Sequence, residues 1–309
     1  MEIVNREMNE NTELRIFDSD IWRVEKSVKA ELGERPIWDD AKKRLIWVDV
    51  KAGRIYIHSA DFNTVETLQL EVSVGAVGLS RDGGFVAATG DGFRILDQNG
   101  TTVGGPFSPP GMSEHLRFND GYCDPAGRFW AGTTSLYGRK GEGALYYFES
   151  NGDITLAIEG VSESNGIGWS LDGAKMYYID SGEEEVSVKA YDFDVDTARL
   201  GRYEKLIVPN REDGVPDGLV VDSDGCLWVA FWNGHSLRRY SPLGKQLEVY
   251  QLPVTNPTCP SFGGSDLCTL FVTTAWEGMT ESSRLRESYA GNLLSTEMTV
   301  SGQPTSFFG

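Results

Sequence analysis

The chain has 309 residues, 46 of them acidic and 28 basic, for a formal net charge of −18. Such a field repels polyanions, so nucleic acid and anionic membrane surfaces are disfavoured as partners, whereas small neutral molecules and metal cations are not. A hydrophobic content of 40%, with 8 Trp, 12 Tyr and 14 Phe, supplies a core and excludes a disordered chain.

Residues 1–20 are polar, with Glu2, Arg6, Glu7, Glu10 and Glu13, and are expected to form an arm ahead of the folded part. Met1 to Phe17 has no apolar stretch of the signal-peptide kind, and no run approaches the roughly 18 apolar residues of a membrane span, so a cytoplasmic location is expected. From Trp22 onward, turns centred near Asp40, Asp82, Asp124, Asp172, Asp224 and Asp266 are each followed by a short apolar or aromatic run. These runs include Leu45 to Val48, Phe85 to Ala87, Phe129 to Ala131, Met176 to Ile179, Leu227 to Ala230 and Leu270 to Val272. A repeat of about 40–50 residues built from strand-like runs is the sequence mark of propeller blades. The expected fold is therefore all-β, a six-bladed β-propeller over residues 21–309.

Within the third repeat Gly143 to Phe148 reads as a strand closed by the turn Ser150 to Asp153, and Ser236 to Tyr240 behaves alike in the fifth. Pro106 to Gly111 and Asn210 to Pro216 read as loops, and Glu281 to Tyr289 is expected to be a loop over one face of the disc rather than helix. Cys123, Cys226, Cys259 and Cys268 lie far apart with no Cys-x-x-Cys spacing, which fits free thiols in a reducing compartment.

Polar, oxygen-bearing side chains precede the first strand of several repeats, in Gly33-Glu34-Arg35-Pro36, Arg117 to Gly121, Ser164-Asn165-Gly166-Ile167 and Pro216-Asp217-Gly218-Leu219. Asn-Gly and Asp-Gly are common hairpin dipeptides. Here, however, a second turn follows each of them, at Asp172-Gly173 and Asp224-Gly225, and supplies the hairpin. The first dipeptide is then left without a turn to make. Carboxylate and amide oxygens gathered without His or Cys suit a hard divalent cation such as Ca²⁺, Mg²⁺ or Mn²⁺. Trp38, Trp47, Trp130, Trp169 and Trp228 read as packing between sheets, whereas Trp232 and Trp276 lie nearer a disc end where a sugar ring could stack. His115 sits close to Arg117, while His58 and His235 are scattered.

Leu32 to Trp38 (LGERPIW), Arg117 to Thr133 (RFNDGYCDPAGRFWAGT), Ser164 to Gly173 (SNGIGWSLDG), Pro216 to Leu219 (PDGL), and Ser261 to Gly264 with Leu270 to Ala275, taken in order, resemble the regucalcin/gluconolactonase family. The resemblance implies a six-bladed propeller that hydrolyses sugar lactones with one divalent metal ion in its channel. It implies Glu34, Asn165 and Asp217 as metal ligands, Asp217 also as the catalytic general base, and Arg117 and Asn119 as substrate-binding residues. Asp120 is a secondary metal or structural contact. Ca²⁺ is the expected ion, with Zn²⁺, Mg²⁺, Mn²⁺ and Fe²⁺ as alternatives, and the expected partner is a small-molecule sugar lactone. In the region where some members carry a substrate-contacting Glu, this chain has Thr134-Ser135-Leu136, with no acid. Arg35 follows Glu34 where many members have Gly, as a channel cation for an anionic lactone, as a solvated surface residue or as the partner of a nearby acid. The rival readings are a related esterase or organophosphate hydrolase, and a non-catalytic metal-binding propeller.

Overall fold

The computed structural model describes residues 14–309. Six sheets follow one another along the chain, each built around three or four antiparallel strands consecutive in sequence. Their innermost strands are Gly33–Asp39, Val74–Ser80, Leu116–Cys123, Ser164–Trp169, Val215–Val221 and Pro257–Gly263. Each inner strand adjoins the next and the sixth adjoins the first, so the chain is a six-bladed propeller around a central channel.

The alternation of runs and turns dictates this arrangement. Each apolar run forms a second strand buried on both faces between neighbouring blades, as in Arg44–Asp49 and Leu227–Trp232. Trp47, Trp130 and Trp228 are completely buried there, each aromatic ring contributing about 1.5–3 kcal/mol or more through burial. Asp124 and Asp222 tie the turns to these rings. In each, one carboxylate oxygen accepts backbone amides of the turn and the other accepts the indole N–H of Trp130 or Trp228, at 2.9 Å in both cases.

Chain ends close the ring. Arg23–Glu25 completes the sixth blade by pairing with Leu293–Glu297. The expected arm over residues 1–20 lies largely outside the described residues. Within its described part, Arg15–Phe17 pairs in parallel with Gln246–Gln251 on the outer edge of the fifth blade. At the other end, residues 301–309 cross the face on which the inner strands finish. Gly302 bridges Asp222, Thr305 donates to the Trp38 carbonyl, Phe307–Phe308 pairs with Leu79 and Ser80, and the Gly309 amide donates to the Gly127 carbonyl. With the Gly302 amide also donating to the Leu267 carbonyl, the segment touches at least five blades.

One expectation is corrected. Glu281–Arg286 is a short α-helix, not loop; Thr280 caps it by accepting the Ser283 amide. Among the described residues no helix is long and apolar enough to cross a membrane.

Candidate active site

All six inner strands are irregular at one place. Register breaks between Glu34 and Ile37, Val74 and Ala76, Phe118 and Gly121, Ser164 and Ile167, Pro216 and Leu219, and Pro257 and Pro260. Apart from the second blade, two residues in each break oppose one on the partner strand, a bulge that turns a side chain out of the regular alternation. Asn119, Asn165 and Asp217 are the first bulged residues of their strands, and Glu34 stands one register position earlier in the first blade. The next residue, Arg35, has φ 38°, a left-handed backbone that a non-glycine side chain occupies at a cost.

This geometry accounts for the unexplained dipeptides. Gly173 and Gly225 take positive φ in hairpin turns, whereas Gly166 and Gly218 lie in the bulges, where inner strands meet near the axis. A Cβ on Gly218 would lie 2.5 Å from the Cβ of Cys259, and one on Gly166 would lie 2.6 Å from the Asp217 carbonyl oxygen.

Glu34, Asn165, Asp217, Arg117 and Asn119 all line one cavity of about 260 Å³ at the end of the disc where the inner strands begin. A chain of hydrogen bonds orients them. Arg117 Nη1 donates to Asn119 Oδ1 at 2.7 Å; Asn119 Nδ2 donates to Asn165 Oδ1 at 3.1 Å and to the Ser164 carbonyl at 2.8 Å. Asn165 Nδ2 donates to Ser181 Oγ at 2.9 Å, and Ser181 donates to the Pro216 carbonyl at 2.6 Å. The Asn165 amide is thus fixed, its oxygen retaining a lone pair beyond the one Asn119 uses.

Both carboxylates, Glu34 and Asp217, are buried. Burial, and then the Asp120 charge, pushes Glu34 up to about 8. Burial also raises Asp217 well above the usual carboxylate range, with repulsion from Glu34, Glu163 and Asp120 adding to it. Among the described residues no hydrogen bond reaches the Asp217 carboxylate. Two buried, mutually repelling carboxylates beside an oriented amide oxygen form a donor set that fits a hard divalent cation. No three His, Cys, Asp or Glu side chains cluster for metal binding among the described residues; here the third donor is an amide. Burial lowers the pKa of Arg117, opposed by Glu277, Glu163 and Glu34.

Arg35 and Asp120 do not line the cavity. Arg35 is 2% exposed and grips Asp120 with two donors, Nε to Oδ1 at 2.6 Å and Nη2 to Oδ2, with Tyr122 beneath the guanidinium at 5.3 Å. Of the roles open to Arg35, the structure gives the acid partner, neither a channel cation nor a solvated surface residue. Trp232 lines the cavity, whereas Trp276 lies under the Arg284 guanidinium at 4.6 Å and His115 packs against Tyr137. His58 is fully buried beside Trp47 and Phe62. All four cysteines are free thiols.

Sequence reasoning missed Lys51, Glu163, Ser181 and Glu277, which also line the cavity with Thr134, Ser135 and Leu136. Lys51 and Glu277 form an ion pair at 2.6 Å between the first and sixth blades. These residues stand outside the repeated motifs. The only signal was positional: Glu163 precedes Ser164-Asn165, and Ser181 and Glu277 follow second strands.

Residues 32–276 match the profile described as the SMP-30/Gluconolactonase/LRE-like region. A Bacillus subtilis protein, YvrE, whose name is that of a sugar lactone lactonase, is 34% identical over 288 residues, covering 93% of this chain and 98% of its own. Regucalcin of Xenopus laevis is 34% identical over 290 residues, covering 90% and 95%. In three dimensions the chain is similar to a calcium-binding regucalcin from Agrobacterium tumefaciens, with TM-score 0.89 at 24% identity over 96% of this chain and 99% of that one. The chain therefore belongs to the SMP-30/gluconolactonase/LRE-like family.

Proposed function

We propose that the chain is a hydrolase that opens the ring ester of a sugar lactone to the aldonic acid, in carbohydrate catabolism. One observation carries this reading: two buried carboxylates and an oriented amide oxygen share a cavity with a guanidinium and a second amide. The names borne by relatives of the same family support the substrate class.

Glu34, Asn165 and Asp217 are the residues that would hold a divalent cation. Their all-oxygen set favours Ca²⁺, with Mg²⁺, Mn²⁺, Fe²⁺ and Zn²⁺ as competitors. When bound, such an ion supplies Lewis-acid polarisation of the ester carbonyl. Arg117 and Asn119 orient the sugar through its hydroxyls. Asp217 accepts a proton from the attacking water as its oxygen bonds to the carbonyl carbon, and returns a proton to the ring oxygen as the ring C–O bond breaks. Free thiols throughout support a reducing, cytoplasmic setting.

A substrate panel tests the reaction class. Acid release from aldonolactones is expected to exceed fluoride or phenol release from organophosphates and aryl esters by at least about a hundredfold in kcat/KM, roughly 2.7 kcal/mol of transition-state preference. The reverse preference assigns the cavity to organophosphate or ester chemistry instead.

A further inference from the structure

The cavity contains a carboxylate that the proposed reaction does not use. Glu163 immediately precedes the inner strand Ser164–Trp169, and its backbone is held at three points, one of them its carbonyl, which accepts the Ser181 amide at 2.9 Å. Its amide donates to Asp180 Oδ1 at 2.8 Å, and it bridges Thr134 of the preceding blade. Glu163 is solvent-exposed and lines the cavity that Glu34, Asn165 and Asp217 also line. Among the described residues none donates a hydrogen bond to this carboxylate and none forms an ion pair with it. Arg117 attracts it at longer range, yet Arg117 Nη1 is already committed to the Phe118 carbonyl and Asn119. A fixed backbone with an unengaged anion beside a hydroxyl-orienting guanidinium is a prepared acceptor for a donor that arrives with the ligand.

The charge of the lining points the same way. Four carboxylates, Glu34, Glu163, Asp217 and Glu277, face two cations, Lys51 and Arg117. Lys51 is engaged by Glu277, and the nearby Arg35 is consumed by Asp120. A divalent cation would bring the lining to neutrality and leave no counter-charge for an anionic substituent on the substrate.

Resting on the lactonase reading, we propose that Glu163 is a specificity-determining residue. It accepts a hydrogen bond from a sugar hydroxyl and selects neutral polyhydroxylated lactones over lactones bearing a carboxylate. Kinetics on three substrates test this: a neutral aldonolactone, a lactone lacking hydroxyls, and a lactone carrying a carboxylate. Glu163→Ala is expected to raise KM for the aldonolactone about tenfold, while kcat and the kinetics on the hydroxyl-free lactone stay within about twofold. Glu163→Gln, which keeps an acceptor and removes the charge, is expected to narrow the neutral-over-anionic preference by about tenfold. An unchanged KM in Glu163→Ala, or an equal loss on the hydroxyl-free lactone, overturns the contact. An unchanged preference in Glu163→Gln overturns the charge selection. Failure of the wild-type chain to open any of the three substrates overturns the lactonase reading itself, and this proposal with it.

Discussion

At the scale of single residues, the most consequential side chain outside the cavity is Arg35. It combines a positive φ, near-complete burial and a two-point grip on Asp120 directly behind Glu34. A buried pair of this kind is costly to break, because removing one partner strands the other charge in a medium that solvates it poorly. Arg35→Met is expected to lower the unfolding free energy by about 3–5 kcal/mol, with most of the loss recovered in Arg35→Met/Asp120→Leu. Urea unfolding of both variants measures this; a single-variant loss below about 1 kcal/mol would contradict a structural role for the pair. Nothing in the sequence near Arg35 announced that partner, since 85 residues separate it from Asp120. Glu163 was hidden for a related reason. It is one acid among 46, in a loop outside the repeated motif, and only assembly of the third and fourth blades puts it beside Arg117.

The decisive element is the bulged inner strand. It explains why the Asn-Gly and Asp-Gly pairs at 165–166 and 217–218 were legible as something other than hairpins. The hairpins belong to Gly173 and Gly225, which take the positive φ, while the earlier glycines make room where strands converge. The motif spacing therefore revealed which side chains face the channel. It did not reveal that Glu34 stands one register position ahead of Asn165, because a bulge leaves no mark in apolar periodicity. Gly218→Ala tests the element. The added methyl meets Cys259, so a loss of about 1–3 kcal/mol is expected, accompanied by weaker divalent-cation binding as Asp217 is displaced. Thermal melting with and without added Ca²⁺ reads both effects. Unchanged stability together with an unchanged Ca²⁺-induced shift would show that the strands have slack at this point.

For the whole molecule, the six turn-and-run repeats were sufficient to indicate a propeller, because each blade must bury both faces of its second strand against neighbours. The manner of closure was not legible. Pairing of Arg23–Glu25 with Leu293–Glu297, and passage of residues 301–309 across the far face, join segments at opposite ends of the sequence with no shared motif. Closure matters to function because it makes the inner strands a ring. Only a ring brings Glu34 of the first blade near Asp217 of the fifth, close enough for the Glu34 charge to help raise the Asp217 pKa.

Acid release from a neutral aldonolactone, followed while chelator-treated protein is titrated with Ca²⁺, tests the account most directly. Turnover should be absent at the start and rise to saturation as one cation binds per chain, and Asp217→Ala should stay at baseline throughout. Full turnover by the chelated wild-type protein, or by Asp217→Ala, would contradict it.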